Sequence, residues 1–544
     1  MKRARVSFLM MPAMVLSLAA VCGCSQDSAP PIDAGTGFVT IKPVTYQFLE
    51  GARLTNMTTD EARMWYSFQP SAADADVKPL AVFYNGGPGA STSLLMGFNT
   101  GPRSLDRVFN GGVPVGPGPA DWSKIANLLY IDARNTGFSY SIGDAQGGFE
   151  IRNFNTYIDA GDFIRVLMKF FDEHEALRSN PVIFVGESYG GLRTSLILNI
   201  ILNYRRYSTT SPLFRDRALA ALLQKHFDKV FPGTNGNELP PATISKQFGR
   251  QVLIEPLLFG SVQHDVMGEM LEAPGSPMYQ IAAETGKKYL PCKDQGSGIC
   301  YPWASALAFA REAGRDVYKY DETGNWTDDT MYATMPVLMS KEGYSSLLLS
   351  DPLGVSGMYA SARAAGYNIA GSGVEALAAP EGQMAQVAEI RRGRFAAMLD
   401  TDAEFQKLFG TLNGDSRYNV PWNETVMMVF SSDLGETSQI HRDTGLLMLE
   451  NLLYVKTLIT NAGYDLMIYA PAFPGCFARY PDRIESVKTG EAEFTVTYKA
   501  GSFTGVASGE TRTVTFPSYE KSGHSVSVSE PVKLLDDVKA WMRM

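Results

Sequence analysis

An apolar run, PVIFV, passes without interruption into Gly186-Glu187-Ser188-Tyr189-Gly190 and then into LRTSLILNIILNYRR, which has the character of a helix. A strand that turns directly into a helix across glycines permits few architectures. The strand must be central and buried, the helix must fold back onto the sheet, and the corner residue is held out at the strand's C-terminal end. Two other unbroken apolar runs, LAVFY before Asn85 and IANLLYIDA, read as further buried strands. Between the second of these and the corner, YIDAGDFIRVLMKFFDEH carries apolar residues at helical spacing. Strand, helix and strand in alternation is the α/β pattern. The composition can support it: 45% of residues are hydrophobic and 19% charged, so the chain is not too polar to bury a core.

The same reading divides the 544 residues into segments. Residues 1–23 are predicted to be an export signal. Lys2, Arg3 and Arg5 precede the uncharged VSFLMMPAMVLSLAAV, which is short for a membrane span of ~20 residues but right for a signal's apolar region. VCGCSQ then sets small Gly23 before Cys24, similar to the bacterial lipobox, whose cysteine is lipidated. Cys24 is expected to anchor the chain in a bacterial envelope membrane, in the periplasm or at the outer membrane. An ordinary cleaved signal with two incidental cysteines is the alternative. Residues 24–37 read as a tether. Residues 38–205 and 436–544 read as the α/β domain. Residues 206–435, where the strand–helix rhythm lapses, read as a helical cap insertion. After the resumed helix GLLMLENLLY and strand VKTLITN, the chain closes with the runs EFTVTY, FTGVASG and RTVTFPSYE and a last helix. Cys292 and Cys300 flank KDQGSGI, where a short-range disulfide and two free buried thiols both fit; Cys476 reads as a lone buried thiol. With only five histidines, none beside a Cys cluster, no metal site is expected. Lys and Arg total 48 against 57 Asp and Glu, with no basic stripe, which argues against a nucleic-acid partner.

Three motifs carry chemistry. The G-x-S-x-G around Ser188, between a strand and a helix, is the setting of a nucleophile elbow. Asn85-Gly86-Gly87-Pro88-Gly89-Ala90-Ser91 follows a strand and can turn backbone N–H groups toward that serine. In an acyl-transfer site it supplies half of an oxyanion hole, the residue after the serine supplying the rest, so Gly87 and Tyr189 are the candidate donors. His524, in SGHSVSVSEP before the last helix, stands where the order serine, acid, histidine places the base. His441 precedes the last strands and is the weaker candidate.

NGGPGAS, IDARNTGFSYS, GESYGG and GHSVSVSEP together resemble the serine carboxypeptidase family, in the family's order, over roughly residues 40 to 205 and 440 to 544. The resemblance implies an α/β-hydrolase fold, a mostly parallel central sheet flanked by helices, with no cofactor. It implies Asp465 as the triad acid, since VKTLITNAGYDLMI is similar to the family's strand and acid loop. A competing frame takes YDLMIYA as the strand; the acid is then missing or comes from Asp482. The resemblance also implies that Asn85, Gly86 and Glu187 hold a substrate's free C-terminal carboxylate. Glu187 donates to that carboxylate only when protonated, because two ionised carboxylates repel; its other reading is a carboxylate capping the following helix. Phe83 stands where the family has Trp, and Ala90 where it has Cys, so a disulfide at that point is absent.

The expected function is a serine-type carboxypeptidase that releases C-terminal amino acids from peptides through Ser188, His524 and Asp465 and an acyl-enzyme. Two rivals are kept: an esterase or acyltransferase on the same scaffold, and a lipoprotein that binds peptides through a decayed site.

Overall fold

The computed structural model describes residues 32–270 apart from 51, 93–94, 97–99, 105–115, 143–152, 154, 235, 261, 264–265 and 267–268, residues 438–462, and residues 468–543 apart from 520–521 and 523–525. The lipidation candidate Cys24, the Cys292–Cys300 loop and most of the expected cap lie outside the described residues. So do the side chains of Asp465 and His524.

The strands are β1 (Gly35–Ile41), β2 (Thr45–Glu50), β3 (Arg53–Thr58), β4 (Ala62–Gln69), β5 (Leu80–Tyr84), β6 (Arg103–Ser104), β7 (Gly116–Pro117), β8 (Asn127–Ile131) and β9 (Tyr140–Ser141). They continue with β10 (Val182–Glu187), β11 (Phe214–Arg215), β12 (Arg250–Ile254), β13 (Lys456–Ile459), β14 (Asn461–Ala462), β15 (Ile484–Thr489), β16 (Glu493–Tyr498), β17 (Glu510–Thr515) and β18 (Ser518–Tyr519). The main sheet runs β1-β4-β8-β5-β10-β12-β13-β17-β16-β15, with β9 beside β4. From β8 to β17 neighbours pair in parallel, and antiparallel strands flank this centre on both sides. Every residue of β5, β8 and β10 is buried, as a parallel centre covered on both faces requires.

Alternation along a strand sends side chains to opposite faces. On β5, Leu80, Val82 and Tyr84 enter one core while Ala81 and Phe83 enter the other. The first core is built with α1 (Thr156–Glu173), α2 (Gly190–Leu202), α3 (Tyr204–Thr209), α4 (Arg217–Val230) and α5 (Pro241–Phe248). α1 starts where the Asn155 side chain accepts from the Ile158 N–H, 2.8 Å away. Every residue of α2 is buried. That follows from an all-round apolar sequence lying between the sheet, α1 and α6 (Ser438–Leu452). α7 (Phe473–Ala478) packs into a second core around β15–β17. α8 (Val526–Ser529) precedes α9 (Pro531–Arg543), whose Leu534, Val538 and Trp541 cover the opposite face of the sheet. No helix among the described residues is long and apolar enough to cross a membrane. The architecture is the α/β-hydrolase fold, as expected.

Two details correct the sequence reading. The segment assigned to the cap from residue 206 contains β12, which lies in the centre of the sheet between β10 and β13. Its apolar run VLI is short, is followed directly by Glu255 and stands far from the other strands in sequence, so no strand–helix rhythm marks it. The run FTGVASG is turn and bend rather than strand, and only its flanking runs pair, as β16 and β17.

Candidate active site

Ser188 stands one residue beyond β10, at the C-terminal end of the parallel strands, with φ of 60°. A left-handed backbone at a non-glycine residue costs on the order of 1 kcal/mol and persists only where neighbours fix it. Here they do. The Ser188 N–H donates to the Ile254 carbonyl (3.0 Å), and its own carbonyl accepts from Gly191 N–H (2.8 Å) and Leu257 N–H (2.8 Å). The ends of β12 and α2 therefore hold the corner from both sides. Gly186 is needed for the tight turn: a Cβ there would stand 2.5 Å from the Gly190 carbonyl oxygen. Ser188 remains partly exposed, while Glu187 and Tyr189 on either side are buried.

The glycine-rich loop after β5 lies directly on this corner. A Cβ at Gly86 would sit 2.5 Å from Tyr189 N and 2.7 Å from Ser188 Cβ, so only glycine allows the approach. This brings Gly87 and Tyr189, the two candidate oxyanion donors, to the same corner. Asn85 is held in one orientation: its Oδ1 accepts from Leu95 N–H (3.2 Å), which leaves Nδ2 to donate to Glu187 Oε1 (2.9 Å). The pair is buried beside Ser188, with 4% and 6% of each residue exposed. Glu187 therefore reaches sideways to Asn85, and Tyr189, the N-cap of α2, makes no side-chain cap hydrogen bond. The structure thus brings Asn85, Gly86, Gly87, Glu187, Ser188 and Tyr189 together.

Asp465 and His524 lie outside the described residues, but the chain on either side of them is placed. β14 and β18 pair in parallel, with Asn461 opposite Ser518 and Ala462 opposite Tyr519. The segments leading to Asp465 and to His524 thus leave side by side, beyond the ends of β13 and β17, at the end of the sheet where Ser188 stands. Asp482 precedes β15. Two antiparallel pairings make β15 run in the direction of β17, so Asp482 is exposed at the opposite end of the sheet from Ser188. His441 falls within α6. Cys476 is buried in α7.

Three buried charges around this site were not singled out from the sequence. Asp132, in the IDARNTGF motif, accepts from Ser91 Oγ (3.1 Å), Thr92 N–H (2.8 Å) and Phe138 N–H (3.0 Å), tying the glycine loop to the turn after β8. Burial pushes its carboxyl up to about 6, with those donors pulling the other way. Glu255, fully buried just past β12 with φ of 40°, accepts from Thr460 Oγ1 (2.8 Å) and Ala462 N–H (2.9 Å). Arg193 on α2 donates to Asp159 on α1 and to the Asn85 carbonyl. The available signal was a single charge inside an apolar run: Glu255 in QVLIEPLLF and Arg193 in GLRTSLIL. Groups of His, Cys, Asp and Glu able to hold a metal are absent among the described residues.

Residues 48–214 match the family model described as serine carboxypeptidase. Serine carboxypeptidase-like 21 of Arabidopsis thaliana is 32% identical over 182 residues, which are 33% of this chain and 35% of that protein. Serine carboxypeptidase 3 of Triticum aestivum is 33% identical over 144 residues, 26% of each chain. The chain thus spans about a third or less of the length of the curated relatives it matches. Among solved structures, a prohormone-processing carboxypeptidase from Saccharomyces cerevisiae superposes with a TM-score of 0.56 at 15% identity, covering 93% of this chain and 90% of that one. The likeness of fold covers most of both chains, and the segment similar in sequence to the serine carboxypeptidases is the one that holds the elbow serine, the glycine loop and the Asn85–Glu187 pair.

Proposed function

We propose that this protein is a serine-type carboxypeptidase that removes C-terminal amino acids from peptides. The observation that carries the reading is the buried Asn85–Glu187 pair beside Ser188 at the elbow. An elbow alone serves any acyl transfer. An amide and a carboxyl buried next to it form a polar reader suited to a terminal carboxylate. In this reading Ser188 attacks the scissile carbonyl, and His524 takes the serine proton and returns it to the leaving amine. Asp465 holds the imidazole in the right tautomer, and the Gly87 and Tyr189 N–H groups stabilise the oxyanion. Water then resolves the acyl-enzyme. The parallel departure of the segments leading to Asp465 and His524 supports those two roles, and the position of Asp482 speaks against it as the acid.

Mass spectrometry of a peptide mixture incubated with the mature protein should show C-terminal residues lost one at a time. Ser188→Ala should abolish this, and C-terminally amidated peptides should be refused. Because a protonated Glu187 donates to the substrate carboxylate and an ionised one repels it, kcat/KM for a peptide should fall on the alkaline side. Glu187→Gln, a donor at every pH, should flatten that limb for the peptide and leave an ester's profile unchanged. Equal turnover of free and amidated peptides would favour the esterase or acyltransferase reading instead.

A further inference from the structure

Arg193 is a buried cation that none of the steps above uses. It is 1% exposed and lies one turn into α2, directly behind the elbow. Its Nε donates to Asp159 Oδ2 at 2.7 Å, which fixes the guanidinium against α1. Its Nη1 donates to the backbone carbonyl of Asn85 at 2.5 Å. The guanidinium carbon lies 4.6 Å from the Phe163 ring centroid, 5.2 Å from that of Tyr189 and 5.6 Å from that of Tyr84. One planar group thus touches both halves of the oxyanion site. It grips the carbonyl just before Gly86-Gly87, and it backs the ring of the residue whose own N–H is the second donor.

An apolar side chain would fill that space at lower cost, because burying an ion pair is expensive and its replacement by apolar residues is often neutral or stabilising. What an apolar residue cannot do is hold a loop carbonyl at a fixed distance from the elbow. A lysine has one point charge and no planar fork with which to serve Asp159 and Asn85 together. The glycine loop needs such a hold, since its glycines are free to adopt other conformations. Oxyanion stabilisation depends on donors already in place when charge develops on the carbonyl oxygen.

We propose that Arg193, clamped by Asp159, is a positioning residue that locks the Gly86-Gly87 loop against Tyr189 and so sets the oxyanion hole. This rests on the serine-hydrolase reading of Ser188. The role predicts a defect in the transition state rather than in substrate holding. The loss should be the same for a peptide and for a simple ester, which has no terminal carboxylate for Asn85 to meet.

The test uses the mature protein and three variants: Arg193→Lys, Arg193→Met, and Arg193→Met combined with Asp159→Asn. Thermal unfolding is measured beside kcat, KM, the affinity for a peptide boronate, and the rate at which a fluorophosphonate labels Ser188. Arg193→Met alone leaves Asp159 buried without its partner and should lower Tm. The double variant removes both charges and should recover Tm. Its kcat should nevertheless stay down by ~10²-fold, the scale of losing one oxyanion donor. KM should move little, and boronate affinity and labelling rate should fall with kcat. Arg193→Lys should keep a positive charge for Asp159 and still lose kcat. A double variant or Arg193→Lys with wild-type Tm and wild-type kcat would overturn the proposal and leave Arg193 a structural ion-pair partner. If fluorophosphonate fails to label the wild type at Ser188, the hydrolase reading itself falls, and this inference with it; labelling that is fast and unchanged in the variants sinks the inference alone.

Discussion

Asp132 shows how one side chain sets the glycine loop. It accepts three donors from two segments. Burial outweighs those donors and raises its pKa from 3.8 to about 6. The sign follows directly. With the folded pKa above the unfolded one, the native state holds the proton more tightly between about pH 4 and 6. The stabilisation is complete below the unfolded pKa and is lost as pH rises through the folded one. Asp132→Asn should remove this dependence. It also turns one acceptor into a donor facing a donor, costing about 1–3 kcal/mol. Urea unfolding of both proteins from pH 4 to 7 should show the stability advantage of the wild type shrinking as pH rises. A constant difference would mean that Asp132 is ionised throughout.

Among the elements, the end of β12 governs the region from which the acid and base loops depart. Glu255 follows β12, and its backbone N–H donates to Thr460 Oγ1 at 2.9 Å while its carboxylate accepts from that hydroxyl and from Ala462 N–H. Ala462 in turn pairs with Tyr519 across β14 and β18. The same stretch of chain holds Ser188, through the Ile254 carbonyl and the Leu257 N–H. Elbow and loop stems are thus fastened to one short segment. Glu255→Ala should leave a buried hydroxyl and a buried N–H without their acceptor, costing about 2–6 kcal/mol at ~1–3 kcal/mol each. Chemical denaturation measures this directly, and a loss under about 0.5 kcal/mol would mean that the latch contributes little beyond a surface contact.

On the scale of the whole molecule, charge is distributed inside as well as outside. Arg134–Asp162, Arg193–Asp159 and Arg165–Asp216 are buried pairs that join α1 to the loop after β8, to α2 and to the start of α4. They orient α1 against the site more than they stabilise it, since desolvation offsets most of their attraction. The first described strand, β1, starts at Gly35 and pairs with β4 at the edge of the sheet, so the chain enters the domain at its margin. A short tether from a lipidated Cys24 would suspend the domain from that edge. Cell fractionation checks this: wild type should partition with membranes and Cys24→Ser with the soluble fraction. Wild type that is soluble after export would remove the anchor.

The sequence alone determined the α/β class, the elbow and the glycine loop. Each depends on local rules: unbroken apolar runs make central strands, and glycines are required where backbones approach within a Cβ's reach, as at Gly86 and Gly186. It also put Asn85 and Glu187 together through a family motif. Only the tertiary structure decided what surrounds them. β12 takes its place in the sheet by pairing with strands distant in the chain, so no local pattern marks it as central. Asp132, Arg193 and Glu255 act through partners 34 to 207 residues away or through backbone atoms that carry no sequence signal. A buried charge is legible in a sequence only as an interruption of an apolar run. What it holds in place is set by long-range packing.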